Sequence, residues 1–147
     1  MERIEGLEEY PVILDHPISW GDMDAFAHVN NTIYFRHFEN ARIAYFEALG
    51  LTDYMKETGV GPILASTRCR FRIPLTYPDR VWIGGRVTDL GEDRFTMLYR
   101  VVSQQHGKVA AEGEGKIVIY DYRAGAKAPV PDSIREAIGR LEGNRGE

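Results

Sequence analysis

The sequence predicts an α+β fold in which one long central helix is wrapped by a curved, mainly antiparallel sheet of about five strands. Two observations carry this expectation. From about Thr32 to Leu49, apolar residues recur at three- and four-residue steps through Tyr34, Phe38, Ala41, Tyr45 and Leu49. Ile33, Phe35, Ile43 and Phe46 make other faces of the same helix apolar too, so it should be enclosed and largely inaccessible to solvent. Beyond about residue 60 the chain is rich in Val, Ile, Thr, Tyr and Phe between turn residues, which supplies the enclosing sheet.

Taken in order, Pro11 through Ile18 to Trp20 is β-prone, with Pro at the start, where a missing N–H is tolerated. The central helix follows, and Gly50 stops it by accepting a left-handed backbone. Leu51 to Thr58 reads as a short second helix ended by Gly59. Four strands are expected at Pro62 to Pro74, Arg80 to Leu90, Arg94 to Gln105 and Lys108 to Tyr122. Turns at Pro78-Asp79, 91–93 and His106-Gly107 separate the four and suggest a four-stranded meander. From Pro131 and Ser133 to Leu141, a capping residue and the Ile134/Ile138 pair predict a short surface helix.

Composition bounds the rest. A chain of 147 residues, 44% hydrophobic, suits one domain spanning 1–147 that buries roughly two thirds of the surface its unfolded form exposes. The single cysteine, Cys69, has no internal partner, and the start Met-Glu-Arg-Ile-Glu-Gly has no leader-like pattern; both point to the cytoplasm. No apolar run reaches the ~18 residues of a membrane span, and a net charge of -4 leaves no basic footprint for nucleic acid.

The densest concentration of chemistry is Trp20-Gly-Asp22-Met-Asp24, then His28-Val-Asn30-Asn31-Thr-Ile-Tyr34, running into Glu39 and Arg42. A carboxylate at the edge of an apolar helix costs desolvation energy unless it is paired or used. By residue type alone, Asp22 and Asp24 read first as turn residues bonding their own backbone, and His28 as a structural imidazole. Asn30 and Asn31 read as helix caps. The free N–H groups of the first helical turn, at the positive end of the helix dipole, can also donate to a developing oxyanion; the backbone N–H near Asn31 is the candidate. Glu39 and Arg42, three apart, suit an ordinary intrahelical ion pair.

Other chemistry fits poorly. A metal held by Asp22, Asp24 and His28 would need an oxygen-bearing residue and a Gly where Phe26 and Ala27 stand. Around Gly113-Glu-Gly115-Lys116, a phosphate loop would need Gly at Ala110 and Ser or Thr at Ile117. No Gly-x-Ser-x-Gly elbow occurs, and Cys69 in a strand of alternating large residues suits a core position.

The run Trp20-Gly-Asp-x-Asp24, His28-Val-Asn-Asn31-x-x-Tyr34 and Glu39-x-x-Arg42 resembles the hotdog-fold acyl-CoA thioesterases of the 4-hydroxybenzoyl-CoA thioesterase type. That resemblance implies the hotdog fold and thioester hydrolysis of an acyl-coenzyme A, with no cofactor beyond the coenzyme A of the substrate. It places Asp24 in the position of the catalytic acid, acting as general base on water or as a nucleophile. Asn31 then serves the oxyanion and His28 supports the loop or the acyl group. Tyr34 and Glu39 become substrate-binding candidates. Partial burial beside Trp20, Phe26 and Tyr34 is expected to tune Asp24.

Relatives often carry a basic turn for the coenzyme A phosphates, whereas here the turn is Gly91-Glu92-Asp93-Arg94, leaving Arg94 as the candidate there. Arg68, Arg70, Arg72, a second subunit, or acyl carrier protein in place of coenzyme A are the alternatives. A non-catalytic acyl-binding or regulatory module on the same fold would keep the tunnel and could lose Asp24, which this chain retains. A hydratase would want an Asp/His pair on a helix-bound segment. One sheet on one helix leaves edges unpaired, so a homodimer or homotetramer is expected, with Asp24 of one subunit near strands of the other.

Overall fold

In the computed structural model the described residues are 4–146. β1 (Val12–Pro17) leads through a single 3-10 turn (Trp20–Asp22) into α1 (Asn31–Leu49), and α2 (Leu51–Thr58) follows directly. Then come β2 (Val60–Phe71), β3 (Arg80–Thr88), β4 (Arg94–Ser103), β5 (Lys108–Asp121), the two-residue β6 (Ala126–Lys127) and α3 (Asp132–Gly146). Every pairing is antiparallel, in the order β1-β3-β4-β5-β2, with β6 beside β5.

The order corrects the four-stranded meander. β3, β4 and β5 do run as a meander, but β2 pairs with β5 at the far edge, and β1 takes the place beside β3. Consecutive turns cannot reveal this, because what joins β2 to β5 is the match of two long strands (Val60↔Asp121 to Phe71↔Ala111), with an irregularity between Leu64 and Ser66. β1 stops at Pro17, three residues short of Trp20, where the chain turns.

Alternation along the strands sends one set of side chains to α1. Ile83, Met97, Tyr99, Val101, Ile117 and Ile119 are fully buried with Phe38, Ala41 and Tyr45 of the helix. Close approach needs a small residue at one point: a Cβ on Gly113 would overlap the Phe38 ring. Phe38 stacks on Tyr99 with centroids 4.9 Å apart.

The helix is less enclosed than its composition suggests. Its buried residues (Tyr34, His37, Phe38, Ala41, Tyr45, Phe46 and Leu49) form one stripe, while Ile43 is 49% exposed and Phe35 half-buried. The sheet covers one side of the helix, and a second apolar side stays open.

The tail differs as well. α3 is longer than expected and is docked rather than superficial: Ile134 and Ile138 are buried in the main core. The Glu142 carboxylate accepts from the Tyr45 hydroxyl at 2.6 Å and from the Val87 N–H at 2.8 Å, tying α3 to α1 and β3. On the outer face of the sheet, Leu7 and Tyr10 pack with Val102, and a Cβ on Gly84 would come within 2.8 Å of both.

Candidate functional site

The motif folds as a tight turn between β1 and α1. Met23 and Val29 form an isolated bridge, the Asp24 N–H donates to the His28 carbonyl (3.0 Å), and the Ala27 N–H donates to the Asp24 carbonyl (2.9 Å). Ala27 sits at φ 65, a left-handed conformation that costs a non-glycine residue of order 1 kcal/mol. The fold holds the turn from outside: the Val29 N–H donates to the Leu75 carbonyl (2.8 Å), and the Leu75 N–H donates to the Tyr34 hydroxyl (3.3 Å). Tyr34 is thus a buried strut, its hydroxyl spent on the backbone while its ring meets Phe71 edge-on at 4.9 Å.

The two aspartates hold different parts of the turn. Asp22 orders the turn, its Oδ2 accepting from the Ser19 N–H (2.9 Å) and its carbonyl from the Asn30 N–H (2.9 Å). The Asp24 carboxylate accepts from the Phe26 N–H at 2.9 Å through Oδ1 and from Asn30 Nδ2 at 3.2 Å through Oδ2. The turn reading therefore holds for Asp24: local bonds fix the orientation of its carboxylate and leave lone pairs facing solvent.

Asn30 is the N-cap, its Oδ1 accepting from the Thr32 N–H (2.9 Å) and the Thr32 hydroxyl (2.8 Å). The Asn31 N–H has no acceptor among the described residues. One asparagine therefore links the carboxylate to the helix start, and an unengaged helical N–H stands beside it. His28 is exposed at the same turn, and its imidazole makes no hydrogen bond among the described residues.

The expected shielding of Asp24 is absent from the single subunit. Trp20 is 72% and Phe26 84% exposed, and Asp24 is itself exposed, while Tyr34 is buried. Beside Asn31 lies a largely apolar cavity of about 260 Å³, lined by Val29, Tyr34, Phe71, Ile73 and Pro74 with Arg72 at its rim. Sequence reading did not find Phe71, Ile73 or Pro74, since no local signal ties a strand end to a turn some forty residues earlier.

Glu39 pairs with Arg36 (3.6 Å) rather than Arg42, whose Nη1 instead donates to the Tyr99 hydroxyl at 3.1 Å. Arg94 pairs with Asp93 at 2.7 Å at the start of β4. It opposes Val118 of β5, whereas Phe71, at the Asp24 end, opposes Ala111, so one subunit does not bring Arg94 to Asp24. Arg72 and Arg100 share the Glu112 carboxylate and Arg68 holds Glu114 (2.7 Å) on the outer face. Cys69 is half-buried, and burial pushes its thiol up to about 11, which suits packing rather than nucleophilic attack.

Behind the turn, His37 is 1% exposed and neither ring nitrogen finds a partner among the described residues. Burial, reinforced by His16 at 5.5 Å and opposed by Asp22, holds its pKa down at about 4. No group of three or more His, Cys, Asp or Glu among the described residues is arranged to hold a metal ion, and no helix there is long and apolar enough to cross a membrane.

Residues 18–138 match the family model of the thioesterase-like superfamily. The fold is also that of solved thioesterases. One from Thermus thermophilus, complexed with coenzyme A and zinc, is 31% identical with a TM-score of 0.81, covering 92% of this chain and 97% of that one. A gentisyl-coenzyme A thioesterase is 26% identical with a TM-score of 0.75, covering 86% and 98%. A thioesterase-superfamily protein from Jannaschia is 25% identical with a TM-score of 0.81, covering 89% and 82%. The chain belongs to the thioesterase-like superfamily, has its hotdog fold, and is a thioester hydrolase.

Proposed function

We propose that this member of the thioesterase-like superfamily hydrolyses the thioester of an acyl-coenzyme A at the turn joining β1 to α1, with Asp24 as general base or nucleophile. The observation that carries the reading is the Asn30 bridge. Its amide holds the Asp24 carboxylate while its carbonyl caps α1, and the next residue, Asn31, with its unengaged helical N–H, lines the apolar cavity.

Hydrolysis needs an oxygen delivered to the carbonyl carbon and a donor for the oxyanion. As base, Asp24 takes a proton from water as the water oxygen attacks; as nucleophile, its own oxygen attacks and forms a mixed anhydride that water then opens. In both routes the thiolate leaves and is protonated. The Asn31 N–H, at the positive end of α1, faces the carbonyl oxygen as it gains charge. His28 lies where it can orient the thioester, and the cavity walled by Tyr34 and Phe71 takes the acyl group. Bound coenzyme A in the Thermus thioesterase supports the choice of carrier.

The exposed turn and the bare edge of β2 support a homodimer or homotetramer in which a second copy shields the site and brings its own basic residues, Arg94 among them. Free-thiol release from a panel of acyl-coenzyme A esters, aromatic and aliphatic, tests the reading. Turnover of at least one ester at enzymatic rates is expected. A well-folded protein that releases no thiol across the panel would overturn it in favour of an acyl-binding module.

A further inference from the structure

The Asp24 carboxylate is held at both oxygens, and the two holds differ in kind. The Phe26 N–H, 2.9 Å from Oδ1, belongs to the same turn and travels with it. Asn30 Nδ2, 3.2 Å from Oδ2, belongs to the N-cap of α1, so this bond ties the carboxylate to the helix. A carboxylate anchored through one oxygen still swings about that anchor. The second bond sets the plane of the group, and with it where the remaining lone pairs point.

Which end of the Asn30 amide meets Asp24 is open to choice. The group has an acceptor end and a donor end of nearly the same shape, and a half-turn about its terminal torsion exchanges them. The turned amide would set its oxygen against the carboxylate, acceptor facing acceptor, and the bond would be lost. Thr32 decides between the two. Its N–H at 2.9 Å and its hydroxyl at 2.8 Å both donate to Asn30 Oδ1. The N–H is a donor that any residue but proline supplies there, whereas the hydroxyl is specific to the side chain. Two donors on the oxygen hold the amide by that end and turn its NH2 group to Asp24.

Thr32 also follows Asn31, whose N–H has no acceptor among the described residues. The run from hydroxyl to amide to carboxylate therefore registers the Asp24 oxygens against the turn of helix that carries the oxyanion donor. We infer that Thr32 is a positioning residue, its hydroxyl fixing the Asp24 carboxylate relative to α1 through the Asn30 amide. The inference rests on the hydrolase reading above and adds to it a group that acts through another. These bonds are exposed in the single subunit, where water competes for each of them, so the expected effect is moderate.

Thr32→Val removes the hydroxyl and keeps the branched shape and the capping N–H, so the unfolding midpoint should hardly move. For the best acyl-coenzyme A ester, kcat should fall about three- to tenfold with KM changed less than about twofold. Thr32→Ser, which keeps the hydroxyl, should recover most of the rate. In an Asp24→Asn background the same Thr32→Val change should alter the residual rate by less than about 1.5-fold, because the group it positions is already gone. An unchanged kcat, equal losses in both backgrounds, a loss confined to KM, or no rescue by serine overturns the inference.

The side-chain amide resonances of Asn30 test the same link without turnover. In the wild type they should move on Asp24→Asn, and in the Thr32→Val protein that response should fall to less than about half. If no thioester is cleaved but the response is lost in Thr32→Val and kept in Thr32→Ser, the positioning link stands and the hydrolase reading falls. A response that Thr32→Val leaves intact overturns the inference whatever the activity.

Discussion

On the β3–β4 flank the sheet is covered on both faces, whereas the β2 flank is bare. Ile83, Met97, Tyr99 and Val101 press against α1 on the inside. On the outside Tyr10 lies over Gly84, with the guanidinium carbons of Arg86 and Arg100 at 5.9 and 5.5 Å from its ring. Along β2, residues 64–68 are all exposed, Leu64 among them, as is Phe71, and the outer backbone edge of the strand has no partner strand among the described residues. One flank is built like an interior and the other like a surface awaiting a second chain. The Asp24 turn and the apolar cavity, which is walled by Phe71 at the end of β2, lie toward the bare side, so stability and chemistry should separate when each is perturbed.

The largest effect falls on the chemistry. Asp24→Asn keeps the shape and the bond from Phe26 but removes basicity and nucleophilicity, so kcat should drop by roughly two to four orders of magnitude with the unfolding midpoint almost unchanged. Asp22→Asn should do far less to kcat. Near-normal turnover by folded Asp24→Asn would remove Asp24 from its role.

The closed flank should answer the opposite way. Ile83→Ala empties a fully buried site and should cost about 2–5 kcal/mol in denaturant unfolding, while kcat/KM of the remaining folded protein stays near that of the wild type. A large fall in kcat/KM at full folding would show that the flanks are coupled.

His37 sharpens the comparison through pH. Its folded pKa of about 4 lies below its ordinary 6.5, so between these values the unfolded chain binds more protons. Its contribution is complete above pH ~6.5 and is lost as pH falls toward ~4, with a full span of about 3 kcal/mol. His37→Phe should flatten that part of the stability–pH curve measured by chemical denaturation. An unchanged slope would mean that other groups set it.

The smallest change expected is at the bare edge. Leu64→Asp should weaken the proposed subunit association about tenfold or more in sedimentation experiments while leaving subunit stability within about 0.5 kcal/mol. Unaltered association would place the interface elsewhere.

Much of this was legible locally. The 3.6-residue period of α1, the stops at Gly50 and Gly59 and the strand runs all depend on near neighbours, and the observed elements match them to within a few residues. The capping role of Asn30 and the ordering role of Asp22 were readable for the same reason. Dense motif residues between 20 and 42 also carried the resemblance that the family match confirms.

What only the tertiary structure decided depends on contacts distant in sequence. β2 leaves the meander for β5, α3 inserts Ile134 and Ile138 into the core, and Leu75 pins a turn more than forty residues earlier through Tyr34 and Val29. The partner choices of Glu39 and Arg42 are likewise tertiary, because spacing on a helix permits several pairs and the surrounding sheet selects among them. Local sequence sets which backbone conformations are cheap, whereas the burial of apolar surface sets which of them meet. The exposure of Asp24, unreadable from its apolar neighbours in the chain, follows from that second rule.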